Sequence, residues 1–146
     1  MFLPYINVWL ALTFEVHQHY QYAKDWFDQN SETGIVFCRF TQAGFLRLAT
    51  NSAIFKDEAL TLAEAWSIYD FLTGDQRIDF SNEPLGTEHL WREMTMRNAY
   101  SPKVWNDAYL AAFTRAGDFN LVTFDRGFVQ YKKLSCTFLG DIKEGE

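Results

Sequence analysis

The chain has 146 residues, with 13 basic and 19 acidic side chains giving a formal charge of −6. That length suits one compact domain, and that sign argues against a protein gripping nucleic acid across a whole face, while leaving room for a local basic groove or an acidic metal pocket. Hydrophobic residues are 48% and aromatics 18% of the chain, enough for a sizeable core and against disorder. No apolar run approaches the ~20 residues of a membrane span. The run Met1–Leu12 lacks a basic leader and a small-residue cleavage site, so a cytoplasmic protein without a signal peptide or membrane contact is expected. Cys38 and Cys136 lie in apolar surroundings and read as buried reduced thiols, with a disulfide as the alternative.

In chain order, Met1–Ile6 reads as a short strand in which Pro4 is awkward, because it removes a ladder donor. Asn7 can cap a helix carrying Val8, Trp9, Leu10 and Leu12. His17 to His19 opens a second helix with an apolar face of Tyr20, Ala23, Trp26 and Phe27. Gly34–Cys38 is β-branched and aromatic, a buried strand. A helix over Thr41–Leu48 follows, then a loop over Asn51–Leu60. Thr61 and Glu64 form a capping box for a helix that should bury Leu62, Ala65, Trp66, Tyr69 and Leu72. Arg77–Phe80 alternates like a half-exposed strand, and Thr87–Asn98 is amphipathic. Ser101 as N-cap and Pro102 at the first helical position open a helix that is apolar nearly all round up to Phe113, with Gly117 ending it. Leu121–Phe124 is a short buried strand, Phe138-Leu139 a last one, and residues 141–146 a polar tail beyond a single domain of residues 1–140. Strands alternating with helices imply a parallel sheet with helices on both faces.

Asp107 is the outstanding residue of this pattern. It sits inside the most apolar helix, past the first turn where an acid would serve as a cap, and a buried unpaired carboxylate is expensive. Asp125 stands where a buried strand stops, although an Asp before Arg-Gly is also an ordinary turn former. Together they suit a hard cation such as Mg²⁺ or Mn²⁺. His17 and His19, two apart, do not share a helix face and read as capping or surface residues. Zinc-type Cys/His spacing, a Gly-rich phosphate loop and a G-x-S-x-G elbow are absent. Arg39, Arg47, Arg92, Arg97, Lys103, Arg126, Lys132 and Lys133 either edge a groove or form a solvated scatter.

Four blocks, NVWLAL at Asn7–Leu12, FCRFTQAGFLRLATN at Phe37–Asn51, SPKVWNDAYLAAF at Ser101–Phe113 and LVTFDRGF at Leu121–Phe128, resemble the PIN-domain ribonucleases of the VapC toxin type, in the right order over nearly the whole chain. The resemblance implies a three-layer α/β/α PIN-like domain with a central parallel sheet. It implies a toxin that hydrolyses RNA phosphodiesters with Mg²⁺ or Mn²⁺, forms a homodimer and is inhibited by a VapB-type antitoxin. Residue by residue, Asp107 matches the acid of the N-D-A helix. Asp125 matches the late acid, with Thr123 its polar companion. Asn7 matches the Asn of the D-x-N opening, and Thr41 the Thr that starts the third helix. Thr41, Thr123 and Arg126 are then the expected substrate contacts.

Two positions depart from the pattern. The first acid, the Asp of D-x-N, falls on Tyr5, a neutral phenol at pH 7. The common Glu after the Thr falls on Gly44, a loss shared by the subgroup with Q-x-G-F-L-R-L. A metal site built on Asp107 and Asp125 alone carries less charge, so the expectation is a ribonuclease weakened or silenced at Tyr5. The alternative is a non-catalytic module that binds antitoxin or RNA.

Overall fold

In the computed structural model, which describes residues 1–140, all strands are parallel and the sheet runs β3-β2-β1-β4-β5. The strands are β1 (Phe2–Pro4), β2 (Ile35–Phe37), β3 (Ile78–Phe80), β4 (Asn120–Thr123) and β5 (Cys136–Phe138). The helices are α1 (Ile6–Thr13), α2 (Tyr20–Asn30), α3 (Arg39–Ala49), α4 (Ser52–Phe55), α5 (Leu62–Thr73), α6 (Thr87–Thr95) and α7 (Val104–Ala116). The expected last strand is thus shifted to end at Phe138, and the polar tail lies outside the described residues.

Successive side chains of a strand point to opposite faces, and the core divides accordingly. Ile35, Phe37 and Val122 join Val8, Trp9, Phe45, Tyr69 and Ile78 on one face, under α1, α3 and α5. Leu3, Val36 and Leu121 join Leu110, Phe113 and Phe128 on the other, under α7. Trp9 stacks on Phe37 with ring centroids 3.8 Å apart. Outside α7 lies α6, tied on by the Trp91 indole N–H donating to the Trp105 carbonyl at 3.0 Å.

Pro4 fits a central strand because of its direction. Leu3 and Pro4 pair with β4, and Tyr5 N–H continues that ladder to the Val122 carbonyl at 2.8 Å. Alternate residues face β2, where Phe2 N–H donates to Gly34 and pairing stops at Phe2–Ile35. The missing Pro4 donor therefore faces the side where the ladder has already ended.

Several expected details are corrected. Asn7 does not cap α1; Tyr5 occupies that position without a side-chain cap, and Asn7 lies inside the helix. The 51–60 stretch holds α4 and a 3₁₀ turn over Lys56–Glu58, nucleated by the Asn51 side chain accepting from Ala53 N–H. The amphipathic helix over Thr87 stops at Thr95. The Thr61–Glu64 capping box forms as expected, but Leu62 and Trp66 on α5 are 77% and 51% exposed rather than buried, because only Ala65 and Tyr69 of that helix turn fully inward. Finally, α7 begins at Val104, not Pro102. A turn closed by Val104 N–H on the Ser101 carbonyl precedes it, since the residue before a proline resists helical geometry. Trp105, in the first turn, is 55% exposed, so the apolar surround starts only at Ala108.

Candidate functional site

The connection after β1 places its neighbour β2 on one side, whereas the chain after β3 crosses the opposite face through α6 and α7 to lay β4 on the other side of β1. The strand order reverses between β1 and β4, and in open α/β sheets the crevice beyond the carboxyl ends at such a point is where ligands bind. Tyr5 follows β1 and Asp125 lies just past β4, so the reversal sets them side by side.

Asp107 reaches this crevice from α7. Tyr5 Oη donates to Asp107 Oδ1 at 3.3 Å. Burial, then the charge of Asp125, raise the Asp107 pKa, and the Tyr5 hydrogen bond opposes them. Asp107 lies in the first turn of its helix, contrary to the sequence expectation, where the helix dipole favours a negative charge. The net shift is upward, so desolvation and the second acid outweigh the Tyr5 hydrogen bond. Tyr5 is pushed up to about 12 by burial and by Asp107 and Asp125, with the Arg47 guanidinium pulling the other way. At neutral pH it is a hydrogen-bond donor and not an anion.

Asp125 is held by its own turn. It caps the 3₁₀ turn Arg126–Gln130, its Oδ1 accepting from Gly127 N–H at 2.8 Å. Thr123 Oγ1 accepts from Asp125 N–H at 3.0 Å and from Asn7 Nδ2 at 3.3 Å, and Asn7 Oδ1 meets Phe124 N–H at 3.5 Å. Asn7 thus braces the end of β4 from α1 and fixes the start of the Asp125 turn.

The structure brings together Tyr5, Asn7, Asp107, Thr123 and Asp125. It turns the other two expected residues away. Thr41 is fully buried and acts within α3, accepting from Cys38 N–H at 3.0 Å and donating to the Cys38 carbonyl at 3.1 Å. Arg126 lies over the Phe138 ring at 5.3 Å and reaches the Gly140 carbonyl, because the turn after Asp125 carries it toward β5. Sequence reasoning missed the crevice wall. Phe128 meets Tyr5 edge-on at 5.2 Å, and Tyr131 packs on Phe128 at 6.0 Å. The three-residue spacing of Phe128 and Tyr131, one 3₁₀ turn apart, was the available signal. Arg47 and Arg97, two of the cations read from sequence as groove edges or solvated scatter, act electrostatically on Tyr5 and Tyr131 respectively.

Oδ2 of Asp107 and Oδ2 of Asp125 have no hydrogen-bond partner among the described residues, which also contain no cluster of three His, Cys, Asp or Glu side chains. The donor set therefore fits a weakly held ion. Mg²⁺ is commonly bound through one or two carboxylates and completed by water and substrate phosphate.

Residues 7–134 match the PIN domain family. Ribonuclease VapC41 of Mycobacterium tuberculosis is 43% identical over 95% of this chain and 99% of its own length. Ribonuclease VapC38 of the same organism is 29% identical over 84% of this chain and 83% of its own. Among solved structures, VapBC2 from Rickettsia felis, bound to a DNA fragment from its promoter, aligns with a TM-score of 0.71 at 12% identity, covering 95% of this chain and 98% of the other. FitAcB from Neisseria gonorrhoeae aligns at 0.63 and 14% identity, over 93% of this chain and 96% of the other. The chain belongs to the PIN-domain family and, within it, to the VapC type. Among the described residues, no helix is long and apolar enough to cross a membrane.

Proposed function

We propose that this chain is the toxin of a toxin–antitoxin pair, a metal-dependent endoribonuclease weakened by Tyr5 at the place of its first acid. The observation that carries this reading is the Tyr5–Asp107 hydrogen bond at the strand reversal, with Asp125 close enough to raise the Asp107 pKa. The name of the 43% identical relative, a ribonuclease, supports it. So does the solved VapC20 of Mycobacterium tuberculosis, described as a sarcin-ricin loop cleaving toxin, which shares the fold with a TM-score of 0.63 at 16% identity over 88% of this chain and 93% of the other. The VapBC2 likeness supports an antitoxin partner of VapB type.

In this reading Asp107 and Asp125 would hold a Mg²⁺ or Mn²⁺ ion, which would supply Lewis-acid polarisation of a phosphate and a more acidic water. The protein's part is positional. Thr123 and Asn7 fix the Asp125 turn, α7 delivers Asp107, and Tyr5 takes one Asp107 oxygen that a cation would otherwise use. That last contact also favours a second reading, a PIN-fold module that binds antitoxin or RNA without cutting.

Cleavage of a structured RNA by the parent chain and by Tyr5→Asp, across a Mg²⁺ and Mn²⁺ series, separates the two readings. The substitution restores a carboxylate, so Tyr5→Asp should cut at lower cation concentration and at least tenfold faster, a gain of about 1.4 kcal/mol in the barrier. Silence of both forms selects the binding module. Equal activity in both would show that Tyr5 does not limit the site.

A further inference from the structure

The loop between α1 and α2 folds back on itself and presents one ring. His17 N–H donates to the Phe14 carbonyl at 2.9 Å, Tyr20 N–H to the His17 carbonyl at 3.0 Å, and His19 N–H to His17 Nδ1 at 3.0 Å. The His17 ring is thus spent on holding the His19 backbone. Glu15, Val16 and Gln18 of the same loop are exposed, whereas His19 is half-buried. Its ring lies on the Phe124 ring with centroids 4.5 Å apart and planes 16° from parallel.

Phe124 joins this stack to the acids. It directly precedes Asp125, so the two Cα atoms are about 3.8 Å apart. Its own N–H meets Asn7 Oδ1 at 3.5 Å. The Phe124 ring packs on the α1 side of the sheet, and Phe128 belongs to the α7 side. Asp125 therefore has one aromatic group before it and one after it, with opposite access to solvent. Phe128 is 1% exposed and meets Tyr5 edge-on, so it is closed to a ligand. The His19 ring keeps part of its surface in water, with Tyr22, 41% exposed, tilted against it at 6.3 Å. An offset parallel stack can be continued by a third flat ring, which an edge-on pair does not offer. Unpaired RNA bases are held in this way on aromatic side chains, histidine included. A chain of formal charge −6 has little net charge to spend on the RNA backbone, so stacking has more of the affinity to supply.

We propose that the His19 ring, seated on Phe124, is a stacking platform for an unpaired base of an RNA strand lying across the Asp107–Asp125 crevice. The platform rests on the ribonuclease reading for the identity of its ligand. His17 is its positioning residue. Every base has a π-face, so the platform fixes how the strand lies against the acids and not which sequence is bound.

The test uses the whole chain and a short single-stranded uridine RNA carrying one central 2-aminopurine, with Ca²⁺ in place of Mg²⁺ and strand integrity checked on a gel. 2-Aminopurine fluorescence falls when its ring stacks, and a fluorescein-labelled copy of the strand gives the affinity by anisotropy. The parent chain should bind with a quench. His19→Leu covers Phe124 without a π-face, so it should lose the quench and bind ~5–100-fold more weakly, the range for one base–aromatic contact. His19→Phe restores a flat ring, so it should keep the quench and bind within about twofold of the parent. Both variants keep the backbone N–H that His17 accepts, and affinities are compared at a temperature where all three chains are fully folded. Equal affinity of His19→Leu and the parent overturns the platform. So does saturable binding without a quench, or a parent chain that does not bind. A loss in His19→Phe as deep as in His19→Leu also overturns it, because the ring nitrogens and not the ring face would then hold the ligand. Ring-dependent quenching together with an inactive Tyr5→Asp chain would keep the platform and remove the nuclease. An active Tyr5→Asp chain whose RNA affinity is unchanged by adding His19→Leu would do the reverse.

Discussion

At the level of single residues, the site carries an electrostatic cost that a purely structural acid would avoid. Asp107 is raised by burial and by Asp125, so between the ordinary carboxylate range and its raised value the folded chain binds more protons than the unfolded one. Stability from this group therefore rises as pH falls through that window, and at neutral pH the ionised Asp107 opposes folding. Asp107→Asn removes the charge and keeps an oxygen for the Tyr5 hydroxyl. Because Asp107 is partly open to water, screening keeps the gain modest, and a melting point about 1–3 °C above the parent at pH 7 is expected. The difference should shrink as the pH falls through the carboxylate range and the parent's Asp107 takes up its proton. Thermal scans of both chains across that pH range decide it; a variant that melts lower at pH 7 would mean that the carboxylate is held by a favourable structural partner.

At the level of elements, the second departure from the family pattern has a packing cause. A Cβ built on Gly44 would lie 2.1 Å from Ile6 Cδ1 and 2.8 Å from its Cγ1, so α3 crosses α1 at a point where only a hydrogen fits. Ile6 is β-branched and stiff at χ1, which limits how far it can yield. A Glu at position 44 would need Ile6 displaced, and Ile6 directly follows Tyr5. The two departures are thus linked through Ile6, which packs on Gly44 and follows Tyr5 in the chain. Gly44→Ala should destabilise by about 1–3 kcal/mol through overpacking. Ile6→Val, which removes the Cδ1 atom, should recover part of that loss in the double variant. Denaturant midpoints of the four chains measure the coupling, and simple additivity would show that the close approach costs nothing.

The same elements show what was legible in the sequence. Strand alternation, the Thr61–Glu64 box and the acids at Asp107 and Asp125 could be read, because each depends on local pattern or on the rarity of buried charge. The resemblance set Asn7 at the site, as found, but where the Asn7, Thr41 and Arg126 side chains reach could not be read. Each of those side chains is aimed by a contact far along the chain or by a turn: Asn7 by Thr123, Thr41 by its own helix start, Arg126 by the β5 edge.

For the whole molecule, the expected homodimer can be narrowed to one surface. The aromatic faces of His19–Phe27 and Thr61–Phe71 are the sequence's two candidate sources for it, but α2 spends most of its own internally. Trp26 is buried edge-on to Phe2 at 5.4 Å, and the Phe27 ring lies under the Arg77 guanidinium at 4.8 Å. On α5, Leu62 and Trp66 are four residues apart, share a helix face and remain 77% and 51% exposed. Phe71, 79% exposed, is on the far side of that helix and lines a separate 590 Å³ cleft with Trp9, Leu12 and Phe27. A self-complementary two-fold contact needs one continuous patch that can bury ~800 Å² per partner, and the Leu62–Trp66 face is the better candidate because its exposed apolar side chains share one helix face. The expected result is a dimer mass by light scattering at micromolar concentration for the parent chain. Leu62→Glu combined with Trp66→Glu should give a monomer with an unchanged melting point at matched low concentration, and Phe71→Glu should stay dimeric. A monomeric parent at high micromolar concentration would remove the dimer altogether. Dissociation by Phe71→Glu alone would move the interface to the cleft.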